Sequence, residues 1–374
     1  MRGAEGPRWR APRDDRATRA PRGARRPPAP AVTATFRRRR LLALLLVVSV
    51  AAVGAVGTGL LSTKRVGTGS AKAVTGDSAP TPKGSSAGAP GVPAGSASKS
   101  PTGSRLSTSV AGGVPLDPER FARGACVGFA PAAPPNHHTV FIDAGHGGID
   151  PGGKGVTETG RVIYEAGENL PIELEAMNLL RSAGFRVVVS RTVNTEVVRL
   201  TAQDRTSGAL SVTGARADIA ARDDCANLAR ATVLVGIYLD AGTSPQNAGS
   251  ITAYDPSRRF AGESRHLATL LQHDVLARMN AHGWQIPDDG VQPDTTLGGL
   301  PLTTSAAAYP HLLLLGPADP GWFETPSEMP GALIEPLFIS DPFEGSIAHS
   351  RAGHRAIAEG MAQAIEQYFV TSAR

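Results

Sequence analysis

Cysteine is almost absent from the chain: only Cys126 and Cys225 occur among its 374 residues, and they form no Cys-x-x-Cys pair. A thiol-redox centre therefore has nothing to build on. No Gly-x-Ser-x-Gly elbow joins a strand to a helix and no phosphate-cradling P-loop is present, so serine-hydrolase and nucleotide-binding chemistries lack their anchors. Internal repeats are missing as well, which excludes a solenoid. Charge of one sign is not in large excess. The formal net charge is +5, and an arginine-rich amino-terminal arm supplies part of it, so no nucleic-acid partner is expected for the folded region.

Residues 1–36 hold few large apolar side chains among their Arg and Pro runs. Burial there cannot offset the entropy of ordering, and a disordered basic arm is expected. One long uncharged run does exist, Leu41 to Leu61, close to the ~20 residues a helix needs to cross a bilayer. Arg37 to Arg40 precede it and outnumber Lys64 and Arg65 behind it. That bias keeps the amino terminus in the cytoplasm and sends the rest outside. Residues 37–63 thus read as a single-pass anchor in the cell membrane through residues 41–61; a cleaved signal ending near Ala71-Lys-Ala73 is the other reading. Residues 64–120, dominated by Gly, Ser, Ala, Pro and Thr, suit a flexible tether. Residues 121–374 remain for a folded domain. On the extracytoplasmic side a Cys126–Cys225 bridge is permitted, and two buried thiols are the alternative.

Within that domain strand-like and helix-like segments alternate. Strands are expected at 139–143, 185–191, 232–239, 250–254, 311–315 and 331–339, and helices near 168–183, 215–229, 264–281 and 353–369. The alternation points to one three-layer α/β domain, a mostly parallel twisted sheet flanked by helices. Sites in such sheets gather at the carboxyl ends of strands.

His146 stands just past one such end, in Thr139-Val-Phe-Ile-Asp-Ala-Gly-His-Gly-Gly-Ile-Asp-Pro-Gly-Gly153. An apolar strand that delivers an imidazole into a glycine-rich turn is a way to present a metal ligand, with Asp143 or Asp150 available to hold its second ring nitrogen. The preceding His137-His138 pair reads as an ordinary strand lead-in, because adjacent strand side chains point apart.

This run resembles the opening motif of the zinc-dependent N-acetylmuramoyl-L-alanine amidases, and the resemblance extends over roughly residues 136–372. It implies a Zn2+ cofactor, peptidoglycan as substrate, and hydrolysis of the amide between N-acetylmuramic acid and L-alanine by a zinc-activated water. Tyr164-Glu-Ala-Gly-Glu-Asn-Leu170 resembles the block that supplies a glutamate ligand, which aligns Glu165, with Glu168 as the alternative. The third ligand position is altered. Where the family has Ser-Ile-His-Ala-Asn, this chain reads Gly236-Ile-Tyr-Leu-Asp240, so that Tyr238 replaces a histidine. Tyr238 as phenolate, Asp240 on the same strand face, or a histidine such as His311 or His354 could fill the gap, or the metal could be lost. Glu335, embedded in an apolar strand, matches the family's acid/base glutamate, although an ion pair with Arg191 would also explain a charge there. The departure at Tyr238 leaves a second expectation beside the hydrolase, a catalytically impaired amidase-fold protein that binds peptidoglycan or regulates wall turnover.

Overall fold

The computed structural model describes residues 112–297 and 308–372. The basic arm, the expected anchor and residues 64–111 of the tether lie outside the described residues, and no described helix is long and apolar enough to cross a membrane.

In chain order the fold comprises β1 (Val114–Pro115), β2 (Ala125–Phe129), β3 (Thr139–Ala144), β4 (Lys154–Val156), β5 (Val162–Tyr164), α1 (Glu165–Ser182) and β6 (Arg186–Arg191). There follow β7 (Arg205–Thr206), β8 (Ala209–Leu210), α2 (Val212–Leu228), β9 (Val233–Ile237), β10 (Ser250–Tyr254), α3 (Ala261–Ala281) and β11 (Asp288–Pro293). The chain closes with β12 (Gly331–Glu335), α4 (Pro342–Ala348) and α5 (Arg351–Ser372). Eight strands form one sheet in the order β1-β2-β6-β3-β9-β12-β10-β11. Its centre, β6-β3-β9-β12, is parallel, whereas β2 and β10 join it antiparallel on either side.

Near-continuous apolar runs such as Val187-Val-Val189 and Val233-Leu-Val235 belong in the middle of such a sheet, where both faces are covered. Alternate side chains enter opposite layers. Val140, Ile142, Val233 and Val235 pack with α1, α3 and α5 through Ile172, Met177, Leu271 and Met361. Phe141, Val188 and Leu234 pack on the other face with Ala221 and Ala226 of α2. A disulfide between Cys126 and Cys225, 99 residues apart, ties β2 to α2 and decides between bridge and free thiols.

Two expected elements differ. Residues 311–315 form turns instead of a strand: the Leu312 carbonyl accepts from Leu315 and Gly316, and Arg258 takes the carbonyls of Leu315 and Gly316. With those acceptors engaged, no neighbouring strand can pair with them. The last strand stops at Glu335, short of residue 339, because Pro336 has no N–H with which to continue the ladder.

Strand directions send the connecting segments to two opposite edges of the sheet. The carboxyl ends of β3, β9 and β12 share one edge. Because β10 is antiparallel to β12 and parallel to β11, the residues after β10 and β11 emerge at the opposite edge.

Candidate metal centre

His146 lies two residues beyond β3 with φ of 61°, in the left-handed region that a non-glycine residue rarely occupies. Two buried guanidinium groups hold it there. Arg191 donates to the carbonyls of Ala144 and Gly145 at 3.1 and 3.2 Å and to that of Ala166 at 2.8 Å. Arg222, from α2, donates to the carbonyls of Ala144 and His146 at 2.8 and 2.9 Å. Its charge is matched by Asp143 at 2.5 Å and Asp218 at 2.7 Å. From the other face the fully buried Glu173 accepts from the Ala144 and Ser190 amides at 3.1 and 3.0 Å. Burial pushes the Glu173 carboxyl up to about 8. The turn is thereby over-determined, which is how a strained backbone persists.

Both ring nitrogens of His146 meet carboxylates. Nδ1 stands 2.8 Å from Asp150 Oδ2, and Nε2 stands 3.0 Å from Glu165 Oε2. Burial alone would lower the imidazole pKa, but the hydrogen bonds and charges of Asp150 and Glu165 outweigh it and push the ring up to about 9. Glu165 opens α1, where the helix dipole favours a negative charge, and its other oxygen accepts from the Gly153 amide at 2.8 Å. Glycine is required at 152 and 153: a Cβ at Gly152 would fall 2.6 Å from the His146 ring, and one at Gly153 would fall 2.3 Å from Glu165 Oε1.

Of the two glutamates that compete for the ligand position, Glu165 is the one beside His146. Glu168 instead bridges His349 at 2.8 Å and His354 at 3.1 Å. His354 is therefore committed elsewhere, and His311 lies at the opposite edge beside Asp255 and Asp294. Of the two aspartates considered for the second ring nitrogen, Asp150 holds it and Asp143 does not. Asp143 accepts from Arg222 and from the Tyr238 hydroxyl, the latter at 3.0 Å.

Tyr238 follows β9 directly and presents a ring edge to His146, centroid to centroid 5.5 Å, but its hydroxyl is turned to Asp143. Burial and the Asp143 charge raise the phenol well above its ordinary pKa. A neutral phenol already donating its proton to a carboxylate has little to offer a cation. Asp240 lies two residues farther along the same edge, its backbone bridged to Phe338 and bonded to Leu337 and Ile339. Glu335 closes β12 at this edge, in register with Ile251 and next to Ile334, whose carbonyl accepts from the Tyr238 amide. The hydrogen bonds of Arg191 go to backbone carbonyls, which does not favour its pairing with Glu335.

His146 and Glu165 fit a divalent ion. Ligand atoms ~2.0–2.2 Å from one zinc lie about 3 Å apart, the separation observed here, and an Nδ1–H held by a carboxylate leaves Nε2 as the donor. Sequence reasoning did not single out Arg222. Its only local signal is the Asp218–Arg222 spacing of four along α2, which an exposed helical ion pair would share.

Among solved structures the chain is similar to the CwlD amidase from Clostridioides difficile in complex with the GerS lipoprotein, at 20% identity and a TM-score of 0.48, covering 63% of this chain and 100% of that one. It is also similar to an N-acetylmuramoyl-L-alanine amidase from Clostridium difficile 630, at 26% identity and 0.43, covering 63% and 98%. A third is the N-acetylmuramyl-L-alanine amidase Ami1 from Mycobacterium smegmatis, at 16% and 0.44, covering 64% and 100%. These TM-scores are below 0.5, and the family assignment rests on sequence. A comparison with curated proteins finds no match. The family model for N-acetylmuramoyl-L-alanine amidase matches residues 140–367, more than half of the chain, from within β3 to within α5, so this protein belongs to that family of cell-wall hydrolases.

Proposed function

We propose that the protein releases stem peptides from peptidoglycan by hydrolysing the amide between N-acetylmuramic acid and L-alanine, at the sheet edge that carries His146, Glu165 and Glu335. The observation that carries this reading is the His146–Glu165 pair, 3.0 Å apart with the outer ring nitrogen tied to Asp150, inside a family-matched fold. His146 Nε2 and Glu165 Oε2 would hold zinc, and Asp240, farther along the same edge, is the carboxylate we assign to a third position. Zinc, when bound, supplies Lewis acidity toward the scissile carbonyl and lowers the pKa of water. The Glu335 carboxylate takes the proton of the attacking water and returns it to the leaving alanine nitrogen. Asp150 keeps the His146 ring in one tautomer, and the Arg191 and Arg222 clamps hold its backbone.

The Cys126–Cys225 bridge supports an oxidising, extracytoplasmic setting, and residues 41–61 would tether the domain to the outer face of the membrane. Tyr238 favours one competing reading, a wall-binding protein without turnover, because the phenol is committed to Asp143. The test is incubation of the full-length chain with purified peptidoglycan in the presence of zinc. New alanine amino termini, detected by mass spectrometry as free stem peptides, are expected. Binding to the wall without such termini would replace the hydrolase by the binder.

A further inference from the structure

A second group of metal-binding side chains lies at the far edge of the sheet. Asp255 follows β10, Asp294 follows β11, and His311 sits in the turn segment 311–316; one donor atom from each falls within 4.8 Å of the others. His311 Nδ1 is 3.1 Å from Asp255 Oδ2 and 3.1 Å from Asp294 Oδ2. Asp255 and Asp294 are 2% and 0% exposed, so two carboxylates are buried side by side. Like charges desolvated together are costly unless something positive lies between them.

A protonated imidazole nitrogen does not satisfy them. It carries one N–H, which is directed to Asp294, whose Oδ2 also accepts from the Leu312 amide at 3.0 Å. Asp255 uses Oδ1 for the amide and hydroxyl of Ser257, at 2.5 and 2.6 Å. Its Oδ2 is buried with no aligned hydrogen bond, although it faces the imidazole. The neighbouring Arg258 brings positive charge near Asp255, but its hydrogen bonds go to the carbonyls of Leu315, Gly316 and Ser327 and not to the carboxylate. Two buried carboxylate oxygens, each 3.1 Å from the same imidazole nitrogen, thus converge with it inside 4.8 Å, a span that donors around one ion can occupy.

We propose that Asp255, Asp294 and His311 bind a second divalent transition cation, distinct from the one at the His146 edge. Two hard carboxylates with one imidazole suit zinc or manganese rather than a thiophilic ion. The cation is structural: it pins Asp294 and His311 to the end of β10, at an edge away from the amide-cleaving residues.

The test uses the full-length chain carrying His146→Ala, so that the other centre loses its imidazole. After chelator treatment it is dialysed against zinc or manganese chloride, and bound metal is counted. One equivalent per chain is expected, with a Tm raised by about 5 °C at a hundredfold excess over Kd; adding His311→Ala should remove both. No bound cation in the His146→Ala chain, or undiminished binding in the double variant, overturns the site. Should the double variant fail to fold, cobalt in the His146→Ala chain must still give a visible absorption band, and its absence is equally decisive. A wild-type chain that binds one equivalent and loses it on His311→Ala would indict the His146 centre and leave this one standing.

Discussion

The two edges of the sheet each place an imidazole between two carboxylates, but they do so in opposite ways. At the His146 edge each ring nitrogen has its own carboxylate, the ring remains partly exposed, and two buried arginines hold the backbone in a left-handed conformation. At the far edge a single nitrogen faces both carboxylates, and no buried arginine reaches the histidine backbone among the described hydrogen bonds. With a cation on Nε2, the first arrangement would fix one tautomer through Asp150 and set Glu165 beside the same ion, which is what a site open to substrate requires. The second closes around a point, which is what a structural ion requires. Family likeness covers both edges and cannot separate them; donor geometry does.

The sharpest way to break the comparison is to silence one edge alone. Glu335→Gln keeps the shape of β12 and removes a proton acceptor at the His146 edge. Stem-peptide release is expected to fall by roughly a hundredfold to ten-thousandfold, the range for losing a general acid or base. Zinc content and the cation-dependent Tm of the far edge should not move. Wild-type turnover by this variant would take Glu335 out of the reaction.

Arg222→Met attacks the frame of the same edge. It leaves Asp143 and Asp218 buried without their cation, a change that costs about 3–5 kcal/mol in comparable buried pairs. Urea unfolding of the full chain should show a loss of that size. A loss below about 1 kcal/mol would mean that the carboxylates are neutral and that the clamp on the His146 carbonyl is incidental.

Much of this was legible in the residues. A strand buried on both faces must be apolar and β-branched, so β3, β6 and β9 announce themselves, and the glycines after β3 mark the turn that carries His146. The Leu312-Leu-Leu-Leu315 run carries the same apolar signal, yet it forms turns, with the Leu312 carbonyl taken by the Leu315 and Gly316 amides and the Leu315 carbonyl by Arg258, distant in sequence. Glu165 and Glu168 are three apart on one helix and look alike locally; His349 and His354, more than 180 residues away, make the difference. Arg222 reads as a surface charge until Asp143 is brought beneath it. What the sequence conceals in each case is a tertiary partner, not a local preference.

The smallest expected effect bears on Tyr238, where the resemblance read from the sequence places a histidine. In Tyr238→Phe the ring stays against His146 and Gly145, and only the hydrogen bond to Asp143 is lost. Asp143 keeps Arg222, so no charge is orphaned and stability should drop by only about 1 kcal/mol. Zinc affinity should stay within about twofold, since one unit of pKa-scale interaction, about 1.4 kcal/mol, would already be tenfold. A large loss of zinc in the phenylalanine variant would show that the hydroxyl leaves Asp143 to serve as a ligand. Tyr238→His supplies the complementary measurement. An imidazole there should raise zinc affinity if the end of β9 faces the ion, and an unchanged affinity would make Tyr238 purely a packing residue, with the third donor supplied from elsewhere along this edge.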